Sequence, residues 1–468
     1  MRGQVYFEAD WRREALRTNL WLVPIVQTMG IVLLFAVTYT VDRAAYDRII
    51  RLPSFVLNGS ADSARVVLAT VAAAIITVVG IVFSITIVAL TLASTQFGPR
   101  MLRNFVRDPG TQVSLGTFVA SFCYAMITLV SVGGGPHGDF VPHLSITVTF
   151  MLTLADVAVL IYFLNHIATM IQLPVVISRI AGRLAEEIAA LDRGESYGVG
   201  AARGPSSEEL LARLAESGAP IRTPRSGYLQ VIRQDVLVKI ATKANAVVQL
   251  PYRPGHFLVA GQVMAWVWPP EAAPAVAERL ALGHVTGAYR TLPQDISFGF
   301  DQLVEIALRA LSPAVNDTFT GMTCIDWIAD CLCRISTSWR PQRIWRDAEG
   351  NIRVIAFVAD FNRLVQRTFD TIRQAGAGMP AIMIRQLEAL AKVIEQTPER
   401  KRRTVLIREA DAIQRLNLAT VTEPTDRDDV TRRYELVMAL VDPHAPPRLT
   451  EVKPSNNGFG YDKAAPAV

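Results

Sequence analysis

The sequence has few charged residues for its length. Asp, Glu, Lys and Arg make up 19% of its 468 residues, and hydrophobic residues make up 51%. A soluble chain carries about a quarter charged residues, so this composition argues against a chain that is soluble throughout. The net charge of +5 is modest, and we predict no nucleic-acid partner.

The cysteines are also few, and they do not form the pattern of a secreted disulfide-rich domain. One lies in an apolar run and three lie within one later segment, with no histidine close to that segment in sequence. A structural zinc site needs four ligands at suitable spacing, so we interpret the cysteines as buried free thiols. We predict neither a metal nor a cofactor. The four cysteines are Cys123, Cys324, Cys331 and Cys333.

Catalytic signatures are lacking as well. The chain contains no Walker loop, no G-x-G-x-x-G, no nucleophile elbow and no H-E-x-x-H. Its six histidines are scattered along the sequence. We therefore predict no enzymatic activity, while a site assembled from distant residues stays open.

Long runs without a formal charge are the clearest feature that is present. They occupy residues 18–41, 66–99 and 109–138, and a fourth, 144–178, is interrupted only by Asp156 and His166. Each run exceeds the about 20 helical residues that cross the hydrocarbon core of a bilayer. The first run is too long for the core of a cleaved signal peptide and is interpreted as a retained anchor. We predict four transmembrane helices, at about 20–41, 68–94, 112–133 and 143–170.

The distribution of arginine predicts the orientation of these spans. The N-terminal tail, the loop after the second span and the exit of the fourth span carry more arginine than the two loops on the other side. Positively charged loops stay in the cytoplasm, so we expect both termini there. Residues 1–19 then form a cytosolic N-terminal tail.

The loop after the second span places three arginines on one face of a short helix. It begins with Gly98 and Pro99, and proline ends or bends a helix because it removes a backbone donor. Two interpretations stay open: the helix binds anionic lipid head groups on the inner leaflet, or its charges only fix the topology. The candidate head-group ligands are Arg100, Arg103 and Arg107.

Two of the predicted spans carry polar residues at helical spacing. An acid inside a span commonly marks an ion or proton path, and the alternative is a hydrogen bond that joins two helices. Small and hydroxyl residues repeated along the second span suit either close packing or a pore enclosed by several copies. The candidates are Thr77, Ser84, Thr91 and Thr95 in the second span, and Ser145, Thr149 and Asp156 in the fourth.

The chain after the fourth span has the pattern of a soluble α+β domain. Residues 173–226 predict a helix and a linker, 227–292 alternate as strands do, and 293–442 are mainly helical apart from a strand pair near 343–358. Residues 443–468 are predicted to be disordered. The predicted fold class is an integral membrane protein: an α-helical N-terminal region of four transmembrane helices, then a cytosolic α+β domain with a β-rich subdomain and a helical C-terminal part.

Three longer motifs carry a resemblance to a known family. They are TQFGPRMLRNFVRDPGTQVSLGTF, PGHFLVAGQ and QDISFGFDQLVEIALRALSPAVNDTFTGMTCIDW. With them the chain resembles, over nearly its whole length, a bacterial family of predicted membrane proteins, domain of unknown function 2254. The resemblance implies a protein of the bacterial inner membrane with an N-terminal transmembrane region. It implies no catalytic residue and no substrate.

Polar residues within and just before the last motif cluster around two predicted helix ends. They are candidates for contact with a ligand or a neighbouring subunit, and the alternative is helix capping with internal hydrogen bonds. The set comprises Arg290, Gln294, Asp295, Arg309, Ser312, Asn316 and Asp317.

Two hypotheses of function follow from these features. The first is an oligomeric ion channel or small-solute permease that its cytosolic domain gates or assembles, with the lipid bilayer and further copies of the chain as partners. The second is a membrane-tethered ligand-sensing or scaffold protein without transport activity. The sequence implies an ion or small molecule as ligand without indicating which one.

Overall fold

A computed structural model describes residues 22–51, 53, 56–57, 59–97, 108–135, 138–192 and 203–440. The chain divides into two compact units, Met1–Val176 and Ile177–Val468. The predicted N-terminal tail, the C-terminal tail and the three arginines of the basic loop lie outside the described residues, as does the side chain of Thr95.

The first unit contains four long helices: α1 (Leu22–Tyr46), α2 (Ala61–Phe97), α3 (Pro109–Ser131) and α4 (His143–Met170). All four are long and apolar enough to cross a membrane, which confirms the number and approximate position of the predicted apolar helices. The second helix begins seven residues before the predicted span. Between α3 and α4 lies a short hairpin of β1 (Gly133–Gly135) and β2 (Gly138–Phe140).

Helix α3 packs against each of the other three helices of this unit. Its N-terminus is set by Asp108, whose carboxylate accepts a hydrogen bond from the Thr111 amide at 2.8 Å, and by Pro109 in the first turn. Apolar side chains fill two regions between the helices. One contains Leu68 and Ile146, and the other contains Val82, Phe118 and Phe163.

The second unit begins within α5 (Leu173–Asp192) and contains two sheets. The five-stranded sheet has the order β3–β7–β5–β10–β9, and the three-stranded sheet has the order β6–β4–β8. All pairs are antiparallel except β5 with β10. The strands are β3 (Ala219–Arg222), β4 (Gly227–Ile232), β5 (Val247–Leu250), β6 (Phe257–Leu258), β7 (Val263–Trp268), β8 (His284–Gly287), β9 (Ile344–Arg346) and β10 (Ile352–Ala356).

The five-stranded sheet is covered by apolar side chains on both faces. In β7, Ala265 and Val267 belong to the main core, whereas Trp266 and Trp268 pack on the opposite face with Leu210 and Leu214 of α6 (Ser207–Ser217). This alternation is the period of two that a strand imposes on its side chains. Helices α7 (Gln234–Lys243) and α8 (Ala273–Leu280) contribute to the main core.

Among the described residues, the remaining six helices come after β8 in sequence, two of them before β9 and four after β10. The strand pair predicted near 343–358 is present, and β10 pairs in parallel with β5. The sheet therefore crosses the predicted boundary between segments 227–292 and 293–442, because backbone pairing joins strands distant in sequence. The helices are α9 (Ile296–Ala310), α10 (Thr318–Ser338), α11 (Phe361–Ala375), α12 (Pro380–Gln396), α13 (Arg400–Thr420) and α14 (Pro424–Ala439).

The cysteines of α10 lie inside this helical part. All three are buried, and burial raises the pKa of Cys324 to about 12. A thiol with this pKa stays protonated at neutral pH, and the thiolate is the form that reacts or binds metal. Cys123 in α3 is half-buried.

Candidate functional site

The first unit contains a buried line of polar side chains between α3 and α4, which we call the polar seam. Its members are buried although they sit in the most apolar part of the chain. Helix α3 contributes Ser121 and Thr128, and helix α4 contributes Ser145, Thr149 and Asp156. The three polar residues predicted on the fourth span therefore face the interior of the bundle together.

Asp156 lies at the middle of α4 and at one end of the seam, and it is 6% exposed. Its Oδ1 atom accepts a hydrogen bond from the Ser121 hydroxyl at 3.0 Å. Its Oδ2 atom is buried and has no hydrogen-bond partner among the described residues. No arginine, lysine or histidine of the described part of the chain forms an ion pair with it. A buried polar atom without a partner is uncommon and calls for an explanation.

One end of the seam is organised by Asp42 of α1. This carboxylate is 2% exposed and accepts hydrogen bonds from the amides of Leu144 and Ser145 at 2.8 and 2.9 Å, and from the Ser145 hydroxyl at 2.7 Å. It therefore caps the N-terminus of α4 from another helix. The Thr38 hydroxyl lies 3.1 Å from that of Ser145 and 2.8 Å from that of Tyr124.

Sequence reasoning missed Asp42, which marked only the end of the first charge-free run. One signal was available: α4 starts after Pro142, which provides no side-chain cap. A helix N-terminus without a local cap needs donor groups satisfied from elsewhere.

An Asp–His pair lies beyond the Asp156 end of the seam, near the start of α3 and the end of α4. His166 Nε2 lies 2.6 Å from Asp108 Oδ2, the carboxylate that caps α3, and the imidazole stacks on Tyr162. A carboxylate at this distance fixes the orientation of the imidazole ring. The four-helix unit therefore has an ionisable group near each end of α4 and one, Asp156, at the middle of that helix.

The polar residues predicted on the second span are not part of this seam. Thr77, Ser84 and Thr91 are exposed on α2. Each hydroxyl donates to the carbonyl four residues earlier on the same helix, at 2.8, 2.9 and 2.9 Å. The two predicted stripes thus occupy different places: one is inside the bundle and the other is on its surface.

The second unit contains a network of three arginines and two aspartates. Asp295 is 1% exposed at its side chain and pairs with Arg290 at 2.8 Å and with Arg253 at 3.3 Å. Asp301 pairs with Arg290 at 2.5 Å and accepts two hydrogen bonds from Arg367 at 2.7 and 3.0 Å. Both carboxylates are thus paired with arginines, at the buried Asp295 and at the exposed Arg367 end of the network alike.

His256 lies beside this network and stacks on Phe357. Burial, together with the positive charges of Arg253 and Arg290, lowers the pKa of His256 to about 4. The imidazole is therefore neutral at pH 7.

The seven polar residues predicted around α9 divide into two groups. Arg290 and Asp295 join the network, and the Gln294 side chain bonds the amide and carbonyl of Ile232 at 3.0 and 3.1 Å. The other group lies at the far end of α9, about 22 Å away at 1.5 Å per residue. There Asp317 caps α10 through the Thr320 amide at 3.0 Å, as the capping alternative requires. Its other members are Arg309, Ser312 and Asn316, and the Ser312 hydroxyl bonds the Arg309 carbonyl.

A buried carboxyl in α13 makes the stability of the second unit depend on pH. Glu409 is 4% exposed, and burial together with the nearby Asp370 raises its pKa to about 7. An unfolded glutamate titrates near 4.3, so the folded state binds more protons between these pH values. The stabilisation that Glu409 contributes is therefore fully present below about pH 4 and is lost as the pH rises through about 7.

We expect Glu409→Gln to remove this dependence. The melting temperature of the full chain in detergent should fall between pH 5 and pH 8 for the wild type and stay nearly constant for the variant. Above pH 7 the variant should melt at the higher temperature. Glu435→Gln, at an exposed position of α14, is the matched control and should follow the wild type. Parallel curves for wild type and Glu409→Gln would contradict the assignment.

Comparison with known proteins agrees with the resemblance seen in the motifs. Residues 17–392 match the model of a family described as predicted membrane protein (DUF2254). An uncharacterized protein of Mycobacterium tuberculosis strain H37Rv, Rv1290c, is 29% identical over 423 residues, which cover 89% of this chain and 79% of the relative. The uncharacterized protein Mb1321c of Mycobacterium bovis gives the same identity and coverage. No solved structure matches the chain.

Proposed function

Because the chain belongs to the DUF2254 family of predicted membrane proteins, we propose that its four apolar helices cross the bacterial inner membrane with both termini in the cytoplasm. The length and hydropathy of the helices support insertion, and the arginine distribution supports the orientation. In this orientation the Asp42 end of the seam faces the periplasm, and the Asp108–His166 pair lies toward the cytoplasm. Reporter fusions at residues 60 and 137 should report the periplasm; a cytoplasmic signal at either contradicts the topology.

We further propose that several copies of the chain assemble into an ion channel or small-solute permease, which the second unit assembles or gates. The observation that carries this proposal is the exposed face of α2. Small and hydroxyl residues follow one another there at intervals of four, three, four and seven, along one side of the helix. The buried residues of α2, such as Leu68, Ile75 and Val82, lie on the opposite side. The exposed stripe comprises Ala73, Thr77, Gly80, Ser84 and Thr91.

The chemistry of this stripe suits a neighbouring copy better than lipid. Small residues let helix backbones approach closely and gain van der Waals contact, and such residues are enriched where membrane helices meet. The same face repeated in each copy surrounds a closed symmetry axis. Hydroxyl groups facing such an axis would line a narrow polar passage.

The test of assembly is a pair of identical substitutions at adjacent positions. Ala73 lies on the stripe and Ala74, also exposed, points about 100° away around the helix. We expect Ala73→Leu to weaken assembly by about tenfold, since contacts between membrane helices are worth about 1–2 kcal/mol. Ala74→Leu should assemble as the wild type does. Native mass spectrometry of the full chain in lipid measures the subunit number of each.

The same proteins in liposomes test transport. Stopped-flow measurement of potassium, chloride and small-solute entry should show flux for the wild type and for Ala74→Leu, and reduced flux for Ala73→Leu. Equal assembly and equal flux for both variants would show that the stripe is not part of the interface between copies. A wild type that assembles but passes no ion or solute would favour the tethered sensor or scaffold, which ligand-dependent shifts in melting temperature would then identify.

A further inference from the structure

The polar seam lies within a single chain and is separate from the exposed stripe of α2. We propose that Asp156 is a proton-binding site, reached from the periplasmic end of the seam through buried hydroxyl groups. The inference rests on the proposed membrane topology, and it names the proton as an ion that the protein binds inside its own four-helix bundle.

The first support is the environment of the carboxyl group. Asp156 is 6% exposed, accepts one hydrogen bond from Ser121 and has a buried Oδ2 without a partner in the described residues. Intramembrane acids of this kind are costly to bury and commonly serve proton or ion transfer. A proton on Oδ2 removes the buried charge without requiring a cation.

The second support is the line of hydroxyl groups between Asp156 and the periplasmic end. Helices α3 and α4 run antiparallel and meet where Ser121 bonds Asp156, so Thr128 and Thr149, each seven residues away, lie at the same level. Thr128 is 0% exposed, and its hydroxyl oxygen also lacks a hydrogen-bond partner in the described part of the chain. Beyond this level come Ser145 and the Asp42 carboxylate, 2.7 Å from each other.

On the cytoplasmic side of Asp156, two buried aromatic side chains pack between the helices. Phe118 of α3 and Phe163 of α4 are both 0% exposed and lie between Asp156 and the Asp108–His166 pair along the two helices. Aromatic side chains offer no hydrogen-bonding path for a proton. Ser114 of α3 is also buried on this side, and its hydroxyl donates to the Gly110 carbonyl at 2.9 Å. The seam itself extends from Asp156 only toward the periplasmic side, and the two phenylalanines separate Asp156 from the Asp108–His166 pair.

The titratable groups around Asp156 are few. Helix α3 brings Cys123 and Tyr124, helix α1 brings Tyr39 and Asp42, and the described part of α2 has no ionisable residue after Arg65. The binding step forms one O–H bond at Asp156 Oδ2 and breaks one in hydronium at the periplasmic mouth. The carboxylate becomes neutral and no electron is transferred.

The test combines a spectroscopic readout with a flux readout on the full-length protein. Infrared difference spectra of the purified chain between low and high pH should contain the carbonyl band of a protonated buried carboxyl group. Asp156→Asn should lose this band, Asp156→Glu should shift it, and Asp139→Asn, at an exposed position of the hairpin, should keep it. Gel filtration identifies folded protein before each measurement.

In liposomes carrying an internal pH dye and an imposed potassium potential, Asp156→Asn should admit protons at the same rate as the wild type, because Phe118 and Phe163 leave a proton no path from Asp156 to the cytoplasmic side. An unchanged band in Asp156→Asn overturns the inference, and a band that responds to sodium at constant pH overturns it in favour of a sodium site. Slower proton entry in Asp156→Asn than in the wild type would contradict access from the periplasmic end alone.

The outcomes separate this inference from the channel proposal. If the wild type passes solute or potassium and the carboxyl band is unaltered in Asp156→Asn, the channel proposal stands and the proton site is ruled out. If Asp156→Asn loses the band and the wild type passes neither potassium nor solute, the proton site stands and the channel proposal is ruled out.

Discussion

Replacing Asp295 by Asn is expected to lower the free energy of unfolding of the second unit by about 3–5 kcal/mol, the usual result of removing one partner of a buried ion pair. The substitution keeps the shape of the side chain and removes its charge. Arg290 and Arg253, which are 16% and 19% exposed at their side chains, then lose the carboxylate that compensates them. The cost arises because a buried guanidinium without a counter-charge is poorly solvated.

Denaturant unfolding of the full chain in mild detergent, followed by tryptophan fluorescence, measures this loss. Asp330→Asn is the matched control. Its carboxylate pairs with Arg334 one turn along α10, and the two side chains are 40% and 54% exposed. Such an exposed pair contributes about 0.3–0.5 kcal/mol. Losses of similar size for the two variants would show that the buried network adds no special stability.

Replacing Gly255 by Ala is expected to lower the free energy of unfolding as well, because the added Cβ atom would clash with the carboxylate of Asp295 in the same network. Gly255 has a φ of +94°, and a Cβ atom there would lie 2.1 Å from Asp295 Oδ2 and 2.6 Å from its Cγ. The carboxylate cannot move aside easily because two arginines hold it. We therefore expect the cost of the positive φ, about 1–3 kcal/mol, and in addition a loss approaching that of Asp295→Asn.

Gly261 provides the control for the cost of a positive φ at a residue other than glycine. Its φ is +82°, and no atom lies within 4 Å of the position that a Cβ would occupy. Gly261→Ala should therefore cost only the about 1–3 kcal/mol of a strained φ. The double variant Gly255→Ala with Asp295→Asn should lose less than the sum of the single losses, because both act on the same contact. Strict additivity would refute this explanation.

The example of Asp295 also shows where sequence reasoning ends. An aspartate directly before a helical pattern is a normal N-cap, and Asp295 does precede α9, yet its side chain caps nothing and binds two arginines instead. Arg253 and Arg367 are 42 and 66 residues distant in sequence from the aspartates they contact. No local pattern predicts such partners. Asp317, by contrast, caps α10 through a residue three positions ahead, and capping was one of the two interpretations that the sequence left open for it.

The same division holds in the first unit. The four apolar helices follow from the sequence alone, because hydropathy and helical periodicity are properties of neighbouring residues. The sequence also placed Ser145, Thr149 and Asp156 on one face of α4, since spacing along a helix fixes relative direction.

The tertiary structure decided what those faces meet. It buried the stripe of α4 against α3, left the stripe of α2 exposed, brought Asp42 to the N-terminus of α4 across 103 residues, and set β10 beside β5. These contacts depend on which apolar surfaces pack together and which backbone groups pair. Both are settled by the whole chain folding at once, whereas the helices and most strands were already determined by short stretches of sequence.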